Sequence, residues 1–236
     1  LRPLPSYPLG GTRALLAIMV CGVPVLAGFI LPVIVLAMLS VHYFSHSWTP
    51  HFQELALNSL WLSSTAALVA VAVALFINYS RRLRGGPLMV FATRIASLGY
   101  AVPGAVLAVG ILIPFAAFDN VLDTFLRHQL GISSGLLLSG TVIAVLFAYI
   151  VRFLMVAVGQ IESSLDKVSL SVDMAARTLG YRAGETMIHY HIPLIRGGML
   201  TALIVVFVDC MKELPATLIL RPFGFETLAT HVYHYA

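Results

Sequence analysis

Residues 14–39, 57–77 and 95–118 run without a single Asp, Glu, Lys or Arg. Two further apolar stretches, 136–158 and 199–220, carry only Arg152 and the trio Asp209, Lys212 and Glu213. Each run has about the twenty residues a helix needs to cross roughly 30 Å of hydrocarbon. In that solvent the backbone must satisfy its own hydrogen bonds, as a helix does. Composition agrees: 59% of the residues are hydrophobic and 10% charged, with a mean hydropathy of +0.94. A soluble domain carries roughly 25% charged residues. The fold expected is therefore an all-α polytopic membrane protein with about five transmembrane helices. The first run is too long for a signal-peptide core and has no cleavage site, so it reads as a true span. Pro24 and Pro32 interrupt it, and Pro103-Gly104 should kink or break the third.

The basic residues set the orientation. Arg2, Arg13, Arg81, Arg82, Arg84, Arg94, Lys167, Arg177, Arg182 and Arg196 flank the spans on one side, whereas the opposite loops hold only Arg127 and Arg221. Such a bias places the first set in the cytoplasm. Segment 1–13 is then cytoplasmic, 14–56 forms the first span and its outer loop, and 57–236 forms the remaining membrane domain. The net charge of +4 is small and sits beside the spans, which argues for topology and against nucleic-acid binding. Cys21 and Cys210 both lie in apolar runs and are expected as free thiols. The chain starts at Leu1 and stops soon after the fifth run, so a longer polypeptide with a closing span is expected.

The exception to this apolar pattern is "SVDMAARTLGYRAGETMIHYHIPL", residues 171–194, within a cytoplasmic segment 161–197. Ser171 is placed to cap a short helix, with Asp173 in its first turn to complement the dipole. Gly180 is placed to end that helix. A second helical stretch follows at 183–191, and Ile192-Pro193 should break it before the last span. The alternative is an inert loop, but a loop this long usually has a function or is disordered, and the helical signals disfavour disorder.

The spacing Ala175-Ala176, three residues, Gly180, then Pro193 resembles the cytoplasmic signature of permease subunits of ATP-driven, binding-protein-dependent importers. That signature reads Glu-Ala-Ala, three residues, Gly, nine residues, Ile, one residue, Leu-Pro. Ile192 stands where leucine is usual, Tyr190 where isoleucine is, and Met174 replaces the glutamate, which would be the third helical residue of a Ser-x-x-Glu capping box. The runs "GFILPVIVLAM", "YAVPGAVLAVGIL", "AARTLG" and "DCMKELPATLILRPFGFETLAT" are similar to the second half of the fused permeases of the ferric-iron importer group. The resemblance implies part of a six-helix type I importer core in the bacterial inner membrane. It also implies that Asp173, Met174, Ala175, Ala176, Gly180, Tyr181 and Pro193 belong to a segment seated on a cytosolic ATPase. The implied partners are ATPase subunits that use ATP and Mg, a second permease half or subunit, an extracytoplasmic substrate-binding protein and membrane lipid. The chain has no phosphate-binding loop and no nucleophile with its base, so it is expected to be no enzyme and to bind no cofactor itself.

Asp209, Lys212 and Glu213 fall at i, i+3 and i+4, which places all three on one face of a helix. Charges at mid-span cost roughly 2.5–3.5 kcal/mol each on insertion scales, so they should face a cavity or one another. With Pro215 they are the candidate translocation path; the alternative is a structural ion-pair cluster. His42, His46 and His51 after the first span read as an interfacial loop rather than a metal site. Arg152 is expected to snorkel to headgroups, and His189 and His191 to be surface or contact residues. Two other readings stay open: the same machine for thiamine, sulfate, polyamine or another solute, and an ion-coupled secondary transporter built on the Asp-Lys-Glu cluster. A non-transporting scaffold gives no reason for charges in the fifth run.

Overall fold

The computed structural model describes residues 7–235, and the start of the opening segment, residues 1–6, lies outside them. Among the described residues there is no β-strand, and five helices are long and apolar enough to cross a membrane. Two compact units divide the chain, 1–53 and 54–236.

In the first unit, α1 (Gly11–Val25) passes through one π-helical turn (Leu26–Ile30) into α2 (Leu31–Ser47). The widened turn has a local cause. Pro32 has no N–H and its ring would press on the carbonyl four residues earlier. The turn before it shifts to longer bonds, Leu31 N–H to the Leu26 carbonyl, and the helix continues. None of this helix's residues is buried. His42 and His46 lie on α2 rather than in a loop. Trp48 stacks on Phe44, ring centroids 5.2 Å apart, and Thr49 caps the next helix by accepting from the Phe52 N–H.

The second unit is built around α6 (Val142–Leu165), which packs against α4 (Pro87–Ala101), α5 (Gly104–Leu130), α9 (Ile192–Met211) and α10 (Pro215–Leu220). The chain enters it on α3 (Pro50–Arg84). Small residues bring the helices together: Ala66, Ala67, Ala70 and Ala74 on α3, Ala144, Ala148 and Ala157 on α6, and Ala202 on α9 are all buried. Gly99 lies so close to the Val151 carbonyl, and Gly198 to Ser164, that neither site has room for a Cβ. Close backbone approach of this kind drives helix association in lipid, where burying apolar side chains gains nothing.

The first two spans are longer than the apolar runs, Gly11–Ser47 and Pro50–Leu83, and the other three are divided differently from the sequence reading. The third is cut at Val102-Pro103, so that α5 alone is the spanning piece, Gly104–Leu130. The fourth begins at Val142, because Gly131, Gly135 and Gly140 take left-handed φ values of 65°, 62° and 69° and fold residues 131–141 into a loop. Asp119, buried on α5, holds that loop by accepting from the Leu138 and Ser139 N–H groups at 3.1 and 2.7 Å. The fifth is a continuous stretch Ala183–Met211, ending short of Leu220. Pro193 does not break it: a π turn at Met187–His191 sits just ahead of Ile192-Pro193, the same arrangement as at Leu31-Pro32.

Candidate functional site

The polar block sits against the ends of α3 and α6. Its first helix, α7 (Leu170–Thr178), is capped by Ser169, not Ser171; the Ser169 hydroxyl accepts from the Ser171 N–H at 3.3 Å. Leu170 is therefore the first helical residue and Met174 the fifth, so a glutamate at 174 would not complete a capping box. Met174 points outward, 62% exposed, beside the equally exposed Leu170. The helix ends as expected. Gly180 takes φ +84°, its N–H donates to the Arg177 carbonyl, and Tyr181 N–H donates to the Ala176 carbonyl, a Schellman closure. The short α8 (Ala183–Thr186) starts where Arg182 N–H meets the Glu185 carboxylate at 2.7 Å.

Asp173 is more than a dipole partner. Arg82, near the end of α3, donates from Nε and Nη2 to Asp173 Oδ2 at 3.0 and 2.7 Å. The same guanidinium donates to the Leu165 and Val168 carbonyls at 2.7 and 2.8 Å, the open end of α6. One side chain thus joins α3, α6 and α7. His191, fully buried instead of surface-placed, brings Nε2 to 3.2 Å from Asp173 Oδ1, off the line of a good hydrogen bond. Tyr79 donates to the Ala183 carbonyl at 2.5 Å. Arg81 pairs with Glu162 beside it. Ala176 is buried and Tyr181 packs edge-on to Tyr190, 5.3 Å between centroids. Sequence reasoning missed Arg82 and His191; the only signal was a helix-end arginine preceding an acid that no helix cap required.

The expected single face of Asp209, Lys212 and Glu213 is not formed. The helix stops at Met211, which separates the trio. Lys212 pairs with Asp209 at 2.7 Å and its side chain is 70% exposed. Glu213 turns inward, 7% exposed, to the guanidinium of Arg152 at 3.1 Å. Arg152 therefore does not snorkel; it also donates to the Val102 carbonyl at 2.7 Å. Pro215 begins α10 rather than bending α9. Tyr149 donates to the Thr217 hydroxyl at 2.6 Å, and Thr217 in turn donates to the Glu213 carbonyl at 2.8 Å. Val102 and Glu213 lie at two helix breaks, Val102-Pro103 and 212–214, and Arg152 and Tyr149 reach them from α6.

At the far end of α3, Asn58 and Ser59 hold the Glu226 carbonyl and the Leu228 N–H. Arg221 donates to Glu226 at 2.9 Å and holds that carboxyl below the usual range, beside a turn in which Phe225 N–H bonds back to the Pro222 carbonyl.

No family model matches the chain. It is 26% identical over 178 residues to the Fe(3+)-transport system permease protein FbpB 2 of Haemophilus influenzae, covering 75% of this chain and 32% of that protein. It is 24% identical over 177 residues to a putative 2-aminoethylphosphonate transport system permease protein, PhnV, of Salmonella typhimurium, covering 61% of that protein. The PhnV protein of Salmonella choleraesuis matches equally. The chain thus spans about a third of the length of one relative and under two thirds of the others. It is a homologue of transport-system permeases, and a multi-pass protein of the inner membrane.

Proposed function

We propose that this chain is the membrane-embedded part of an ATP-driven, binding-protein-dependent importer, with ferric iron as its cargo. The observation that carries the reading is the polar block itself: a capped, glycine-closed helix fixed by Arg82 to α3 and α6, with its Met174 face turned outward. A fixed helix with an unpartnered face at the end of a membrane bundle is suited to pass displacement from a soluble partner into the spans. The partner is a cytosolic ATPase that hydrolyses ATP with Mg; a second permease half and an extracytoplasmic binding protein complete the machine. Similarity to an iron permease over three quarters of the chain supports iron. Similarity to phosphonate permeases over the same share supports an anionic organic solute as the second reading. ATP binding would favour one of two conformations by its differential contacts, and the block would transmit that preference.

The test is uptake into membrane vesicles with and without the ATPase, using ferric iron and 2-aminoethylphosphonate as alternative cargoes. ATP-dependent uptake that vanishes with the ATPase supports the reading, and the cargo taken up decides between the two solutes. Uptake driven by an ion gradient alone would move the chain to the secondary transporters.

A further inference from the structure

Two helices of the second unit are interrupted. The first breaks between α4 and α5 at Val102-Pro103, and the second between α9 and α10 at 212–214. Both interruptions meet one side chain of the central helix, Arg152, in the middle of α6. Its Nη1 donates to the free Val102 carbonyl at 2.7 Å, while its Nε faces the Glu213 carboxylate at 3.1 Å. Glu213 in turn accepts from Ala216 N–H at 3.3 Å, the start of α10. The carboxylate also fills the space beside Gly104, where a Cβ would lie 2.6 Å from Glu213 Oε1. A charged pair this deep in an apolar bundle is costly, and replacing such a pair by neutral groups of similar size is often neutral for stability. Stability alone therefore gives no account of it.

We infer that Arg152 is a positioning residue for solute passage: it fixes the two broken helices against each other, through Val102 on one side and Glu213 on the other. Glu213 is then the counter-charge of that joint and not a free carboxylate awaiting cargo, while the Asp209–Lys212 pair, of which only the lysine is exposed, lies outside it. The role in passage rests on the transport reading above; the geometry of the joint does not.

The chain carries its own reporter. Cys210 is buried beside the second break, and Cys21 is the other cysteine. In a Cys21→Ser background within the assembled complex, a small water-soluble methanethiosulfonate reagent reads whether the joint is closed. The neutral pair Arg152→Met with Glu213→Gln should assemble in parental amounts, yet label Cys210 about tenfold faster and transport about tenfold less per complex. Gly104→Ala, which pushes on the carboxylate, should also speed labelling. Adding Glu213→Asp, which withdraws the carboxylate by one methylene, should restore protection. Parental labelling of Cys210 in Gly104→Ala or in the neutral pair overturns the inference, as does fast labelling with uptake per complex unchanged. A neutral pair that fails to assemble leaves the decision to Gly104→Ala and its rescue. If the parental complex shows no ATP-dependent uptake, the proposed function falls while Cys210 still decides on the joint.

Discussion

Gly180 holds φ at +84°, a region where a Cβ meets the following carbonyl, and its own N–H and that of Tyr181 close α7. No atom lies within 4 Å of a Cβ placed there, so the cost of substitution is backbone strain and not crowding. Gly180→Val should cost about 1–2 kcal/mol at this turn and loosen the end of α7 without preventing insertion. Measured in the assembled transporter, ATPase stimulation and uptake should fall together while the amount of membrane-inserted protein stays constant; normal stimulation would remove the coupling role from this turn. Met174 makes the opposite case. It is exposed and outside the cap, so Met174→Glu should leave α7 unchanged and act only on the partner. Thermal stability of the isolated chain should match the parent, while affinity for the ATPase stays the same or rises.

Among the elements, α7 depends on Arg82. Its guanidinium fork serves one carboxylate oxygen and the carbonyls at the end of α6, a geometry that the point charge of lysine cannot reproduce. The side chains of Arg82 and Asp173 are only 11% and 12% exposed, so removing either leaves the other charge largely stranded, a loss of about 3 kcal/mol or more for a buried pair. Arg82→Lys and Asp173→Asn should each release α7, read as faster proteolysis at Arg177 and Arg182 in detergent; resistance equal to the parent would show that α7 is held by other contacts. The Arg221–Glu226 tie at the other end is a partly buried counterpart. Arg221 depresses the Glu226 carboxyl, so its stabilising share is present above the ordinary carboxylate range and is lost as pH falls through the depressed value. Arg221→Gln should raise the Glu226 titration, followed by NMR, and an unchanged titration would assign the shift to other groups.

At the scale of the whole molecule, the spans and the block were legible because hydrocarbon length and capping chemistry are local properties of sequence. What escaped was set by tertiary partners. The helix was expected to run through 213 because Asp209, Lys212 and Glu213 have helical spacing, but burying Glu213 against Arg152 needs the break before Pro215. Pro193 was expected to stop a helix that a π turn carries through. Ser171 was a plausible cap, but Ser169 fills that place. Orientation joins both kinds of inference. Arg82 and Asp173 touch, so the basic loop after α3 and the polar block share one end of the unit, while Asn58, Glu226 and Phe225 belong to the other. The distribution of Lys and Arg assigns the first end to the cytoplasm. Single cysteines at 85, 179, 46 and 225, in a chain lacking Cys21 and Cys210, should follow that assignment. A membrane-impermeant maleimide should label 85 and 179 only in inside-out vesicles, and 46 and 225 only from the outer face. Position 223 offers a check on accessibility, since Phe223 is fully exposed at the tip of its turn. Labelling of 223 and 225 only from the cytoplasmic face would place an even number of crossings between them and the block, and the five-span topology would have to be abandoned.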